Sequence, residues 1–431
     1  MGEPAVDTEP ASTLWRNRVF VRVWAAATVS VFGTNVSRIA LPFVAILVLH
    51  VGPLAIAAIR VAELVSAVVV GTVAGAWVDR LRRRPVMIWA DVGRAVALGS
   101  IPIVAIGHWL TLAQLLAVAA IVAALSVFFE VADRAYLPSI VEREQLVRAN
   151  GTLVGTTSAA EFSAFSIGGF LIQAFTAPFA IAVDALSYVA SAVLLGSIRR
   201  PEPAPPPVAE REPIATEFRV GYRVVARDPV LRALVWGAMG QWAMWGVFSV
   251  TWLLYLTRDL DFTPGKVGVI AAIGPGCALV GALLSTRAVR RFGIGSVATG
   301  SLLVAAVGSL FVPLAPAELP LVALSFLLAQ QLLVDASAAL QDITELSIRQ
   351  SRVEPRQLGR VNATVKMATA LAQLTGTIAG GAVAAAFGLR AATFLLPAAA
   401  LLGGLAMWRS PLRSVRTVEI DALPSVGASG A

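Results

Sequence analysis

The chain has 431 residues, of which 57% are hydrophobic and only 14% charged. Soluble domains carry roughly a quarter of their residues as charges, so this composition excludes an ordinary water-soluble globule and points to a polytopic membrane protein. The net charge of +8 does not read as a nucleic-acid face, because the basic residues are scattered over short loops between apolar runs, the pattern that sets membrane topology.

Met1 to Ala11 is acidic and contains proline, unlike the basic start of a secretory signal. The first apolar run is therefore expected to be retained. A spanning helix needs about 20 mostly apolar residues. In the first half such runs lie at Phe20–Leu49, Leu54–Val78, Val86–Gly107, Leu112–Val131, Thr152–Phe175 and Pro178–Ile198. In the second they lie at Leu231–Leu256, Gly265–Thr286, Ile294–Leu314, Leu319–Leu340, Asn362–Phe387 and Ala391–Trp408. The stretch from Arg199 to Pro229 is proline-rich at its front, which favours an extended linker, and Thr216–Val225 has the pattern of a short amphipathic surface helix. The expected division is a six-helix bundle over 1–198, a cytoplasmic linker over 199–230, a second bundle over 231–409 and a cytoplasmic tail over 410–431.

Orientation follows from the arginines. Arg16, Arg18, Arg80 to Arg84, Arg134, Arg143, Arg148, the 199–232 run, Arg287, Arg290, Arg291, Arg349 to Arg360 and Arg409 to Arg416 all fall on one side. The other side has little beyond Arg258, Lys266 and Arg390. The positive-inside bias puts both termini and the linker in the cytoplasm, and the protein in the cell membrane. Cys277 is the sole cysteine and His50 and His108 stand alone in turns, so neither a disulfide nor a metal site is expected. No Gly-x-x-x-x-Gly-Lys-Ser/Thr loop is present, and Gly274-Pro275-Gly276 reads as a helix breaker. No nucleophile with a matching base stands out, so no enzyme activity and no cofactor are expected.

The halves echo each other. Asn150 and Asn362 open the fifth and eleventh runs, and Gly168-Gly169 matches Gly380-Gly381; both pairs are 212 apart (362 − 150 and 380 − 168). Two agreeing registers argue for an internal duplication, a recurrent secondary-transporter plan with substrate held between the repeats.

Between the second and third runs sits a knot of charge: Gly75, Asp79, Arg80, Arg82, Arg83 and Arg84, followed by Asp91 and Arg94 inside the next apolar run. A topogenic loop explains the arginines alone. It does not explain Asp79 at a helix end or the Asp91 and Arg94 charges at membrane depth, which cost several kcal/mol unless partnered.

These residues resemble the major facilitator superfamily. Gly75-Ala76-Trp77-Val78-Asp79-Arg80-Leu81-Arg82-Arg83-Arg84 is similar to its signature between helices two and three (Gly-x-x-x-Asp-Arg-x-x-Arg-Arg). Ala90 to Arg94, Phe128 to Pro138 and Ala182 to Tyr188 resemble, in order and spacing, the branch of macrolide-efflux proteins and enterobactin-type siderophore exporters. The Gly-Pro-x-x-Gly-Gly that such exporters often carry in helix five, associated with antiport, is replaced here by Ala164-Phe165-Ser166-Ile167-Gly168-Gly169. No proline kink is expected there. The resemblance implies an all-α fold of twelve transmembrane helices in two pseudo-symmetric six-helix bundles, with helices one, four, seven and ten lining a central cavity.

On that plan Arg38, Glu63 and Glu161 form a buried cluster that couples protons, Glu161 being the titrating group; a static ion pair is the plainer reading. Gln241, Trp242, Trp245, Gln330 and Gln331 line a substrate cavity, although tryptophans also mark membrane interfaces. Asp335 and Lys366 form a structural ion pair. The charged turn latches the cytoplasmic side: Asp79 meets the amino end of a helix beginning at Asn362, and Arg83 meets Glu130 or Asp133. The expected function is export of amphipathic small molecules by alternating access, driven by protons, with a monomer embedded in lipid and no nucleic-acid partner. A uniporter or importer of the same fold, or a non-transporting scaffold or sensor, are the alternatives.

Overall fold

The computed structural model describes residues 12–142, 145–199, 202 and 214–416. A short helix α1 (Ser12–Arg16) leads into α2 (Arg18–Phe43), whose last turn, Val44–Val48, widens to π geometry. Then come α3 (Pro53–Val78), α4 (Arg83–Ile106), α5 (Leu112–Ile140), α6 (Leu146–Ala174), α7 (Ala177–Gly196) and the short α8 (Ile214–Arg227). The second half comprises α9 (Pro229–Leu254, closing in π geometry over Tyr255–Asp259), α10 (Pro264–Phe292), α11 (Ile294–Ser309), α12 (Phe311–Leu314), α13 (Pro320–Arg352), α14 (Pro355–Phe387), α15 (Leu389–Thr393) and α16 (Leu395–Trp408). No strand occurs among the described residues. Among the described residues, ten helices are long and apolar enough to cross a membrane; α6 and α9 are as long but lie outside those ten.

The helices start where the sequence supplies partners for their free amides. Asn17 Oδ1 accepts from the Val19 and Phe20 amides at 3.1 and 3.2 Å, and its Nδ2 donates to the Ile140 carbonyl at 2.8 Å, tying the start of α2 to the end of α5. Proline stands in the first turn of α3, α7, α13 and α14, where its missing N–H is no loss.

Several helices overrun their apolar runs. Helix α5 continues past Val131 to Ile140, α6 begins at Leu146 rather than Thr152, and α13 extends to Arg352. Hydrophobicity reports where lipid ends, whereas a helix continues into water for as long as its backbone hydrogen bonds close. Pro275 does not break α10, which runs through it unbroken; a membrane helix tolerates one lost bond when neighbours cover the site. The amphipathic stretch in the linker is helix α8.

Contacts divide the chain into two compact units, 1–210 with 253–275, and 211–252 with 276–431. In the first, α2 packs on α6 and α7, α5 packs on α3 and α4, and α4 packs on α7. In the second, α11 packs on α13 and α16, and α14 packs on α8.

The duplication is visible in three dimensions. Helices α3 and α10 start 211 residues apart (264 − 53), as do α4 and α11 (294 − 83). The two π turns are each followed by a non-glycine residue in the left-handed region, His50 at φ 53° and Asp261 at φ 51°, again 211 apart (261 − 50). Gly168 sits against the Val36 backbone and Gly380 against the Val247 backbone, so the fifth helix of each half crosses the first at the same place.

A closer approach occurs where α6 meets the start of α10. A Cβ on Gly169 would lie 2.6 Å from the Pro264 carbonyl and 2.8 Å from Gly268 Cα. Nearby, the Gly265 amide donates to Gln173 Oε1 at 3.0 Å. Gly169→Leu must push these backbones apart at a cost of about 1–3 kcal/mol. It should lower the melting temperature in detergent, while Gly151→Leu, where a Cβ meets open space, should not.

Asp228 caps α9. Its Oδ1 accepts from the Val230 amide at 2.7 Å and the Leu231 amide at 3.3 Å, and its Oδ2 accepts from Arg352 Nε at 2.9 Å. Burial pushes this carboxyl up, but the Arg352 guanidinium and the two amides outweigh it and hold it below the usual carboxylate range. A depressed folded-state value contributes stability at pH above the unfolded value of about 3.9, lost as pH falls through the folded value. Asp228→Asn should therefore lower the melting temperature at neutral pH and flatten its decline below about pH 4.

Candidate functional site

The charged turn is built by two helix ends. Helix α3 closes at Asp79, whose amide bonds back to the Gly75 carbonyl while the Arg80 amide bonds to that of Trp77, and α4 opens at Arg83. Arg80, Leu81 and Arg82 are exposed in the turn. The first two amides of α4 are satisfied by a residue distant in sequence: Glu202 accepts from the Arg83 amide at 2.7 Å and the Arg84 amide at 3.1 Å. A carboxylate on a helix amino end gains from both the hydrogen bonds and the dipole. The Arg83 guanidinium reaches the same carboxylate at 3.9 Å, so Glu202 is its partner, not Glu130 or Asp133. Arg84 answers the other way, donating to the Leu195 and Gly196 carbonyls at 2.9 and 2.8 Å and closing the end of α7. The turn thus staples three helices together.

Asp91 and Arg94, one turn apart on α4, are ion-paired. The Arg94 guanidinium lies over the ring of Phe129 at 4.4 Å and that of Tyr188 at 4.1 Å, and donates to Ser126 Oγ at 3.4 Å. Such stacking suits a planar, weakly hydrated cation removed from water. This pair faces inward, away from the exposed turn.

The expected Arg38–Glu63–Glu161 cluster divides into two pairs. Arg38 on α2 meets Glu161 on α6 at 3.4 Å, whereas Glu63 is taken by Arg60, one turn before it on α3, at 2.9 Å. Arg60 also reaches the Arg38 carbonyl at 3.5 Å. The first pair is not buried either: the Arg38 side chain is 58% exposed and that of Glu161 34%. Arg60 was legible as the i, i+3 partner of Glu63 on a helix. A carboxylate takes the nearest cation on its own helix before one across an interface.

Asp335 and Lys366 do not pair. Asp335 Oδ2 is buried with no hydrogen-bond partner, and Lys366 is exposed. Helix α14 starts at Pro355, so Asn362 lies two turns inside it and offers Asp79 no free amide.

In the second unit Gln241 donates to Asp342 Oδ1 at 3.3 Å, and Gln330 and Gln331 are buried on α13. Trp242 points to the exposed side. The aromatic stripe of α9 instead runs Trp245–Phe248–Trp252, with both ring pairs 5.1 Å apart, edge-on and then stacked. Phe248 completes it at i+3, a spacing that attention to tryptophan alone passes over.

Duplicated helical halves and long apolar helices mark a polytopic membrane protein. The sequence profile of the Major Facilitator Superfamily matches residues 23–329 and again 236–426. The chain belongs to that superfamily, whose members are transporters of small molecules and not enzymes. It is 23% identical over 406 residues to an uncharacterized MFS-type transporter, YfiS, of Bacillus subtilis (strain 168), covering 91% of this chain and 93% of that one. Among solved structures it is similar to a bacterial homologue of the iron transporter ferroportin (TM-score 0.72, 19% identity, 92% of this chain and 99% of that). It is also similar to the nucleoside transporter NupG (TM-score 0.72, 13% identity, 90% and 98%) and to the POT family transporter PepTSo (TM-score 0.71, 14% identity, 91% and 97%). At these identities the structures establish the fold alone.

Glu202→Gln keeps the size of the cap but removes its charge and one acceptor. It should cost roughly 1 kcal/mol, read as a lower melting temperature of purified protein, while Arg82→Gln in the exposed turn should cost nothing measurable.

Proposed function

We propose that the chain exports an amphipathic small molecule, a drug or a siderophore-like metabolite, in exchange for protons. It works by alternating access between two six-helix bundles (1–198 and 231–409), as a monomer in the cell membrane with both termini cytoplasmic. All twelve long helices cross the bilayer in this reading. The finer resemblance to macrolide-efflux and enterobactin-exporter proteins supports the substrate class, and the Trp245–Phe248–Trp252 stripe offers flat apolar faces for it.

The observation that carries the proposal is the Arg38–Glu161 pair. Arg38 lies ten residues before Val48, and Glu161 thirteen before Ala174. At 1.5 Å per residue these are about 15 and 20 Å from the helix ends, inside a hydrocarbon core of about 30 Å. Charges accessible at that depth are stable only where water reaches them. A wet, loosely held pair (3.4 Å) can release the carboxylate for protonation, whereas a dry one is locked. The charged turn at Gly75–Arg84 is the proposed cytoplasmic gate element.

The second reading, an importer or uniporter, rests on helix α6. It runs unbroken through Ala164 and Phe165 with no proline, where antiporters of the resembling branch carry Gly-Pro.

Proteoliposomes with an imposed pH gradient and a panel of amphipathic dyes separate the readings. Substrate-driven proton movement is expected, and Glu161→Gln should reduce it about tenfold or more, ~1.4 kcal/mol of coupling, without loss of folded protein. Proton movement unchanged in Glu161→Gln would remove that residue from coupling, and dye flux indifferent to pH would favour the uniporter.

A further inference from the structure

Helices α2, α4 and α7 enclose a group of charges that the transport reading above does not use. Asp91 and Asp184 are 0% exposed and Arg94 is 4% exposed. Arg94 is held by Asp91, Ser126, Phe129 and Tyr188, with its Nε left unpaired. One guanidinium set against two carboxyl groups leaves one negative charge in excess if both acids ionise. An uncompensated carboxylate in a dry interior costs several kcal/mol.

The surroundings are polar and incompletely paired. Asp91 Oδ2, Asp184 Oδ2, Ser37 Oγ and Ser191 Oγ are buried without a hydrogen-bond partner. Asp184, Ser187, Tyr188 and Ser191 share one face of α7 by their i, i+3, i+4, i+7 spacing. Helix α2 meets that face with a gap shaped for it: a Cβ on Gly33 would collide with Ser187 Oγ and Asp184 Oδ1. One residue on, Thr34 Oγ1 lies 2.9 Å from the Tyr188 hydroxyl. The missing side chain at Gly33 is what lets the carboxyl sit between the helices.

The other half of the chain shows that the fold does not need these charges. At the 211-residue offset of the early helices, Gly33, Asp91 and Arg94 correspond to Met244, Leu302 and Ala305. Helices α7 and α15 start 212 apart (389 − 177), so Asp184 and Tyr188 correspond to Leu396 and Ala400. All five counterparts are buried hydrophobic residues. The same helix arrangement therefore closes with no charged side chain at these five positions.

We propose that Asp184 is a proton-binding site, its carboxyl holding one exchangeable proton that neutralises the cluster while α2, α4 and α7 stay packed and leaving to water when they separate. Asp184 and not Asp91 takes the proton because Arg94 is ion-paired with Asp91 directly, while Asp184 has hydroxyl groups and no paired cation against it, Ser187 at 3.1 Å and Ser37 from α2. The charged and titratable groups facing it are Asp91 and Arg94 from α4 and Tyr188 from its own helix; α2 contributes Ser37, and no charge of α6 is among those that reach it. The site lies apart from the Arg38–Glu161 pair and does not depend on the coupling assigned to that pair.

Infrared spectra of the purified full-length protein in liposomes, recorded through a pH titration, test this. A protonated-carboxyl C=O band is expected that disappears as pH rises, is absent from Asp184→Asn and is kept by Glu161→Gln. Asparagine is the neutral isostere of the protonated acid, so Asp184→Asn should melt with the parent. Asp91→Asn supplies a second variant: it frees Arg94 to compensate Asp184, so the band should vanish at lower pH than in the parent. A band unaffected by Asp184→Asn, a band that does not titrate, or one removed by sodium chloride at fixed pH would each overturn the proposal. Failure of the Glu161 reading would show separately, as unchanged proton flux in Glu161→Gln with the Asp184 band intact.

Discussion

The rest of this structure depends on the price of a charge in hydrocarbon. Lipid offers no hydrogen bonds, so every ionised side chain at depth needs a partner, a route to water or a neutral form. The first unit uses three solutions. Near the helix ends, Arg84 spends its guanidinium on the carbonyls that finish α7, and Glu202 spends its carboxylate on the amides that start α4. At an exposed position between α2 and α6, Arg38 and Glu161 hold each other loosely. In the interior, Arg94 is clasped between two aromatic faces with Asp91 beside it.

The apolar framework is shared by the two halves, and the charges are not. Glycines pack the fifth helix of each half against the first, Gly168 on Val36 and Gly380 on Val247. Small residues at such crossings let backbones approach where no hydrophobic force drives helices together in lipid. Matching π turns and left-handed residues end the first helix of each half. Against this common frame the buried Asp91, Arg94 and Asp184 are confined to the first unit. A feature present in one repeat and replaced by apolar packing in the other is one that folding alone does not require.

The helices and the duplication were legible in the sequence because lipid imposes one simple demand, about 20 apolar residues per crossing. Their ends were less so, since Leu146, Ile140 and Pro355 lie in polar sequence where hydrogen bonding and not hydrophobicity decides. Side-chain partners were the least legible. Arg83 finds Glu202 across 119 residues, a distance that spacing rules do not reach, while Arg60 and Glu63 pair by the local i, i+3 rule. Asp184 had no arginine at helical spacing to flag it, and its significance appears only once α4 brings Arg94 against Tyr188.

Helix α2 is where the accessible and the buried charges meet. Gly33, Thr34, Ser37 and Arg38 lie within about one and a half turns: the first three turn towards α7, and Arg38 reaches α6. A rigid helix cannot move one of these faces without the other. Drawing Arg38 away from Glu161 must shift the seat that Gly33 provides for the Asp184 carboxyl, and the fit there is too close for the shift to be absorbed by slack. Under the two proposals above, protonation of Glu161 and of Asp184 would act on the same mechanical element. Two sites that bias one element would be linked in free energy, although each proposal stands without the other.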